Sequence, residues 1–290
     1  MLSILLFTVK LLALAYGVGA IFAAAVAAHQ ESKIWQSKSL PSLSLLGMFK
    51  VFLFNVVWMV VCFIGVIYVG IKSILLLGSL NTTREGQFVE RLTAALVLRL
   101  FVGDIQVIGK ENLPPLDTTP APIYVANHAS QIDVAAAYAV GRKFRWVAKQ
   151  SVLYIPGVGP LMYLANHILI DRKRKNGRSS FFPKANDSVQ SGMALFIFPQ
   201  GTRRITPKLP AKNGAFIVAQ ENKATLVPLS LEIPMTAWNS FYPFQTAPNS
   251  VKMTIHKPIQ PDERTTVETL NQKCMDQIYT ALPREYTKND

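Results

Sequence analysis

The sequence predicts an α/β fold: a mixed sheet flanked by helices, preceded by two N-terminal membrane helices. Two observations carry this expectation. Apolar residues are concentrated before residue 81 in runs of bilayer-spanning length. Beyond residue 84, short β-rich runs alternate with helical stretches, the pattern of helices packed on a sheet. The expected division is a membrane-anchoring segment with two apolar helices, residues 1–80, and a second domain, residues 81–290. Composition agrees: 50% of residues are hydrophobic and 16% charged, against roughly 25% charged in soluble domains.

The first 28 residues are apolar apart from Lys10, and Leu11 to Ala28 can form one membrane helix. A cleaved signal peptide is the competing reading, because the alanine-rich end offers small residues, but no positive charge precedes Lys10. Val51 to Ile71 is a second uncharged run of 21 residues, bracketed by Lys50 and Lys72. As a helix it spans about 31 Å, the thickness of a hydrocarbon core, with both lysines reaching the interfaces. Asn55 is the strongly polar side chain inside it and is expected to face another helix. The polar stretch His29 to Ser42 ends in Leu40-Pro41-Ser42, a connecting turn. Two helices so joined return the chain to its starting side; a re-entrant hairpin in one leaflet fits equally. Asn81-Thr82-Thr83 fits a glycosylation sequon, yet beside an apolar segment it reads as an unmodified helix end.

Strands are predicted at Ile105–Ile108, Ile123–Ala126, Phe144–Ala148, His167–Ile170, Ala194–Phe198, Leu226–Glu232 and Val251–His256. Several are nearly continuous apolar runs, as in a sheet covered on both faces. Helices are predicted at Gln131–Tyr138, Val158–Ala165, Gly214–Gln220 and Thr265–Ala281, and the basic, polar stretch Arg172–Asn186 as a mobile loop. A net charge of +13 calls for anionic partners: phosphates, anionic lipid, CoA or nucleic acid. Nucleic-acid binding accounts for the charge but not for two membrane segments. Cys62 and Cys274 are the two cysteines, and no metal-ligand spacing occurs, so neither a disulfide framework nor a metal site is expected.

The chemistry concentrates in Tyr124 to Asp133, which reads as a strand end, a turn and a helix start. On a continuous helix, five positions would turn His128 and Asp133 apart. With His128 in the turn and Asp133 in the first helical turn, the carboxylate reaches back to the imidazole and makes a general base. Ser130 and Asp133 also have capping-box spacing, which gives Asp133 a purely structural alternative. Two further blocks follow strands: Ile170-Asp171-Arg172, and Phe198-Pro199-Gln200-Gly201-Thr202-Arg203. Arginines at strand ends suit a phosphate, which the guanidinium fork binds bidentately. Gly201 permits close backbone approach.

Together these blocks resemble the glycerolipid acyltransferase family, in its 1-acyl-sn-glycerol-3-phosphate acyltransferase branch. The family's NHxxxxD block appears as Asn127, His128 and Asp133. A second block matches Lys149, Pro156, Gly159 and Ile170-Asp171-Arg172, a third (normally FPEGTR) Phe198–Arg203, and a fourth Val227-Pro228-Leu229. Lys212-Asn213-Gly214-Ala215 matches a stretch between the last two, and the likeness covers about residues 85–235. Gln200 replaces the usual glutamate, and Asn166 stands where the family has glycine.

The resemblance implies an acyltransferase domain that moves an acyl group from acyl-CoA to the sn-2 hydroxyl of lysophosphatidic acid, giving phosphatidic acid. His128 and Asp133 would be catalytic. Arg172, Arg203, Gly201, Thr202, Gln200, Lys149 and Asn127 would bind substrate. No cofactor beyond the co-substrate acyl-CoA and no metal is implied, and the remaining partner is the lipid bilayer. The implied location is integral to the endoplasmic reticulum membrane, with plastid and bacterial plasma membranes as alternatives. Glycerol-3-phosphate or another lysophospholipid as acceptor, and a non-catalytic anionic-lipid-binding protein, stay open. Hydrolysis is disfavoured because no G-x-S-x-G turn occurs.

Overall fold

A computed structural model describes residues 2–35, 44–171, 180–203, 209–234, 237–238 and 250–283. The chain forms two compact units, one of residues 1–93, 151–165 and 239–244, the other of residues 94–150, 166–238 and 245–290.

In the first unit, α1 (Leu2–Trp35) packs on α2 (Leu45–Leu75). Among the described side chains of α1, the buried ones are Ala20, Ala24 and Ala28, four apart and therefore on one face, and small side chains allow close helix approach. The Tyr16 hydroxyl donates to the Met59 carbonyl of α2 at 3.1 Å. Both helices are long and apolar enough to cross a membrane. Outward they present Leu14, Val18, Phe22, Ile64, Ile71 and Ile74, a surface suited to lipid. Asn55 is buried, and its amide donates to Val51 O of its own helix at 2.7 Å. Lys72 pairs with Glu85 at 2.8 Å. Lys50, which brackets the apolar run, is packed inside the protein and 1% exposed. The turn expected at Leu40–Ser42 lies outside the described residues.

Two elements were not anticipated. Helix α3 (Thr82–Phe101) begins where Asn81 Oδ1 accepts the Arg84 N–H at 3.0 Å, so Asn81 caps a helix start. α3 exposes Phe88, Leu92, Leu96 and Leu100 while burying Gln87, Glu90 and Thr93, the inverse of a helix facing water. Residues 181–186, expected within a loop, belong to α6 (Phe181–Gln190). Its buried Phe181, Ala185 and Val189 recur every four residues, and Pro183 sits in the first turn, where a missing N–H costs nothing.

In the second unit, seven strands among the described residues form one sheet in the order β1-β7-β6-β2-β5-β3-β4. They are β1 (Gln106–Ile108), β2 (Ile123–Ala126), β3 (Arg145–Lys149), β4 (Ile168–Ile170), β5 (Leu195–Ile197), β6 (Leu226–Glu232) and β7 (Lys252–Ile255). The run β6-β2-β5-β3-β4 is parallel, and β7 joins it antiparallel through Leu231↔Met253. The predicted strands thus match those observed to within about two residues. Ile123, Val125, Leu195, Ile197 and Leu226 point to one face, under α6, α7 (Gly214–Asn222) and α8 (Val267–Thr280). Alternation sends Tyr124 and Phe196 to the other face, where they join Phe144 and Trp146. The predicted helix at Gln131–Tyr138 is split into α4 (Asp133–Ala136) and a 3₁₀ turn, and α5 (Val158–Leu164) belongs to the first unit.

Candidate active site

Parallel strands place their carboxyl ends on one edge, where binding groups collect in open α/β sheets. β2 leads there into Asn127 and His128, β5 into Phe198 to Arg203, and β3 ends at Lys149.

Asn127 fixes the exit of β2. Its amide nitrogen donates to the Leu231 carbonyl at 2.9 Å, and its oxygen accepts the Leu231 N–H at 2.7 Å. The side chain thereby extends the β2–β6 ladder by one pseudo-residue and is 3% exposed. The chain then turns through His128-Ala129-Ser130 into α4, which begins at Asp133.

That turn folds around one carboxylate. Asp133 Oδ2 accepts the Ala129 N–H at 2.6 Å and the Ser130 N–H at 2.8 Å, and lies 2.9 Å from His128 Nδ1. Ser130 Oγ meanwhile accepts the Ile132 N–H at 3.1 Å. The same oxygen thus braces the turn ahead of α4 and meets the histidine, while the N-cap residue of α4, Ile132, takes no side-chain cap bond. The Asp133 side chain is fully buried and that of His128 is 15% exposed. Backbone donors hold the carboxylate as an acceptor, so Nδ1 carries the hydrogen and Nε2 is the basic atom of the ring.

The imidazole is also held on its face. The Phe198 ring lies 4.1 Å away, nearly parallel at 9°, and itself stacks on Trp146 at 5.5 Å. Trp146 is anchored by its indole N–H to the Tyr138 hydroxyl at 2.9 Å. Phe198 stood inside the third sequence block, but only the fold puts it against His128.

Gln200 is 7% exposed. Its oxygen accepts the His128 N–H at 3.3 Å, and its nitrogen donates to the Tyr279 hydroxyl at 2.7 Å and to Leu209 O at 3.4 Å. The amides of residues 128–130 are thus all engaged internally. Tyr279, on α8, left no sequence signal: it lies 79 residues from Gln200. Gly201 closes the turn after β5, with its N–H on Phe198 O at 3.0 Å and φ of 73°, a conformation glycine adopts without strain. Arg203 is half-buried on this turn, Thr202 and Lys149 are exposed, and Arg172 lies outside the described residues. Asn166, in the place of the family's glycine, keeps a left-handed backbone at φ 57°, which asparagine tolerates better than most side chains. Of the residues expected at the site, His128, Asp133 and Gln200 are joined by hydrogen bonds, while Asn127 is turned to Leu231.

The chain is similar to known proteins in sequence and in fold. Residues 104–232 match the family model described as Acyltransferase. A 1-acyl-sn-glycerol-3-phosphate acyltransferase of Limnanthes alba is 30% identical over 229 residues, 76% of each chain. One of Saccharomyces cerevisiae is 30% identical over 196 residues, 64% of this chain and 62% of that protein. One of Chlamydomonas reinhardtii is 30% identical over 182 residues, 62% of this chain. The chain spans about half the length of that algal relative and of chloroplastic relatives from Arabidopsis thaliana and Brassica napus (54%, 48% and 49%). In fold, it superposes on the crystal structure of the 1-acyl-sn-glycerophosphate acyltransferase from Thermotoga maritima with a TM-score of 0.63 at 21% identity, covering 81% of this chain and 92% of that one. With the four sequence blocks and the shared fold, these matches show that the chain belongs to the acyltransferase family, in the branch of the 1-acyl-sn-glycerol-3-phosphate acyltransferases.

Proposed function

We propose that the chain transfers an acyl group from acyl-CoA to the sn-2 hydroxyl of 1-acyl-sn-glycerol-3-phosphate, with His128 as general base and Asp133 as its orienting partner. The observation that carries the reading is the two-sided fixation of the imidazole, in plane by Asp133 at 2.9 Å and on its face by Phe198 at 4.1 Å. A ring so held presents Nε2 in one direction.

A neutral alcohol attacks a thioester poorly. Nε2 takes the hydroxyl proton as the oxygen bonds to the thioester carbon, a contribution of about 10²- to 10⁴-fold. The tetrahedral intermediate then expels the sulfur as the carbon–sulfur bond breaks. The imidazolium returns its proton to the thiolate, leaving phosphatidic acid and free CoA with every proton accounted for. The buried Asp133 carboxylate stabilises the imidazolium in between. Arg203, Lys149, Thr202 and the Gly201 backbone, with Arg172, are proposed to hold the acceptor phosphate, which orients the hydroxyl before attack.

Lipid substrates require access to a bilayer. The apolar surfaces of α1 and α2, and the exposed stripe of α3, support a membrane-bound protein, and the +13 charge favours an anionic lipid. The proposed location is the endoplasmic reticulum, with the plastid as alternative because relatives include chloroplastic proteins.

The test measures phosphatidic acid formed from acyl-CoA and lysophosphatidic acid by membranes containing wild type or His128→Ala at matched amounts. Activity that falls at least 10²-fold in the variant is expected. Activity unchanged by the substitution rejects the base. Wild-type activity only with glycerol-3-phosphate or another lysophospholipid reassigns the acceptor, and none with any acceptor rejects acyl transfer.

A further inference from the structure

We infer that Gln200 and Tyr279 form a positioning pair that ties the C-terminal helix α8 to the backbone of His128. The inference rests on His128 being the base proposed above. It assigns Gln200 to holding the base rather than the acceptor.

The Gln200 amide is used up within the protein. One amide hydrogen goes to the Tyr279 hydroxyl at 2.7 Å and the other to Leu209 O at 3.4 Å, while the oxygen takes the His128 N–H at 3.3 Å. The position therefore needs two donors and an acceptor at once, which an amide supplies and an ionised carboxylate does not. This is the chemical reason a glutamine fits here. Burial raises the Tyr279 pKa above its usual value, so the phenol stays protonated and its oxygen accepts from the amide.

Tyr279 is a firm anchor because α8 is held at separate points. Thr266 caps its start, with the hydroxyl accepting the Thr269 N–H at 3.2 Å. Asn271 donates to Asn213 Oδ1 at 2.7 Å and to Ala211 O at 3.2 Å. Ser230 of β6 donates to the Ile278 carbonyl, next to Tyr279. α8 lies beyond the family match, which ends at residue 232. The pair thus links a segment outside the matched region to the turn carrying the base. Displacement of that turn by a fraction of an ångström misdirects Nε2 and slows the reaction without loosening the acceptor.

Tyr279→Phe, Gln200→Glu and the double variant of the full chain separate the two roles. Expected for Tyr279→Phe is a fall in kcat of about five-fold with acceptor KM unchanged, the effect of losing one hydrogen bond. Deuterium exchange of the peptide spanning residues 124–133 is expected to quicken by a similar factor. Gln200→Glu, which replaces both donors by acceptors, is expected to lower kcat with acceptor KM unchanged and to quicken the same exchange, and the double variant to add little to it. A raised KM at constant kcat in Gln200→Glu, or Tyr279→Phe without effect on both kcat and exchange, overturns the pair. The exchange readout needs no substrate. A wild type that makes no phosphatidic acid therefore ends the functional reading, while exchange alone still decides the pair. Tyr279→Phe removes a single oxygen and decides the outcome even where Gln200→Glu fails to fold.

Discussion

The Phe198 ring lies parallel to the His128 imidazole, with centroids 4.1 Å apart, and shields the ring face while Asp133 holds Nδ1 in plane. Phe198→Leu keeps apolar volume but removes the stacked ring. With an aromatic pair worth about 0.5–1.5 kcal/mol beyond its area, kcat should fall roughly two- to ten-fold, measured as initial rates at saturating acceptor. A drop in unfolding midpoint with unchanged kcat would make Phe198 a packing residue only.

Asn127 carries a structural load that its place in the NHxxxxD block does not reveal. Asn127→Ala leaves the buried N–H and C=O of Leu231 without partners, a cost of about 1–3 kcal/mol each. Chemical denaturation should show a loss of that order, together with lowered activity, because the turn holding His128 starts at this pin. Wild-type stability in the variant would contradict the two bonds to Leu231.

Stability should also depend on His256. The Ser230 hydrogen goes to Ile278 O, so His256 Nε2 donates to Ser230 Oγ at 2.7 Å. Burial lowers its pKa from the ordinary imidazole value. The unfolded chain then binds a proton more readily than the folded one. Stability is fully present above the unfolded value of ~6.5 and is lost as pH falls through the depressed folded value. Unfolding midpoints compared between pH 7.5 and 5 should drop more in wild type than in His256→Gln.

Gly157 packs against α2 with a positive φ of 72°, where an added Cβ would meet Met59 O and Phe63 N. Gly157→Ala therefore combines backbone strain with overlap, roughly 1–3 kcal/mol for each. Thermal unfolding in detergent should register the loss, and a neutral result would mean that α2 shifts to accommodate the methyl group.

The presence of two apolar helices, the seven strand positions and the order of the four blocks were determined by the sequence alone, whereas the helices run on beyond the apolar stretches, to Leu2–Trp35 and Leu45–Leu75. Each rests on local signals: run length for α2, continuous apolar residues for β2 and β6, residue identity and spacing for His128 and Asp133. α6 was hidden because Phe181, Ala185 and Val189 lie among polar residues, and their four-residue period becomes decisive only against the sheet. The sheet order and the antiparallel entry of β7 depend on pairings between distant segments, as do the contacts of Phe198 with His128, of Leu231 with Asn127 and of Tyr279 with Gln200. Spacing in the chain says nothing about which distant groups meet once apolar faces are buried. The residue types able to do the chemistry were thus legible along the chain, while the side chains that hold the base in place were chosen by packing and hydrogen-bond satisfaction in three dimensions.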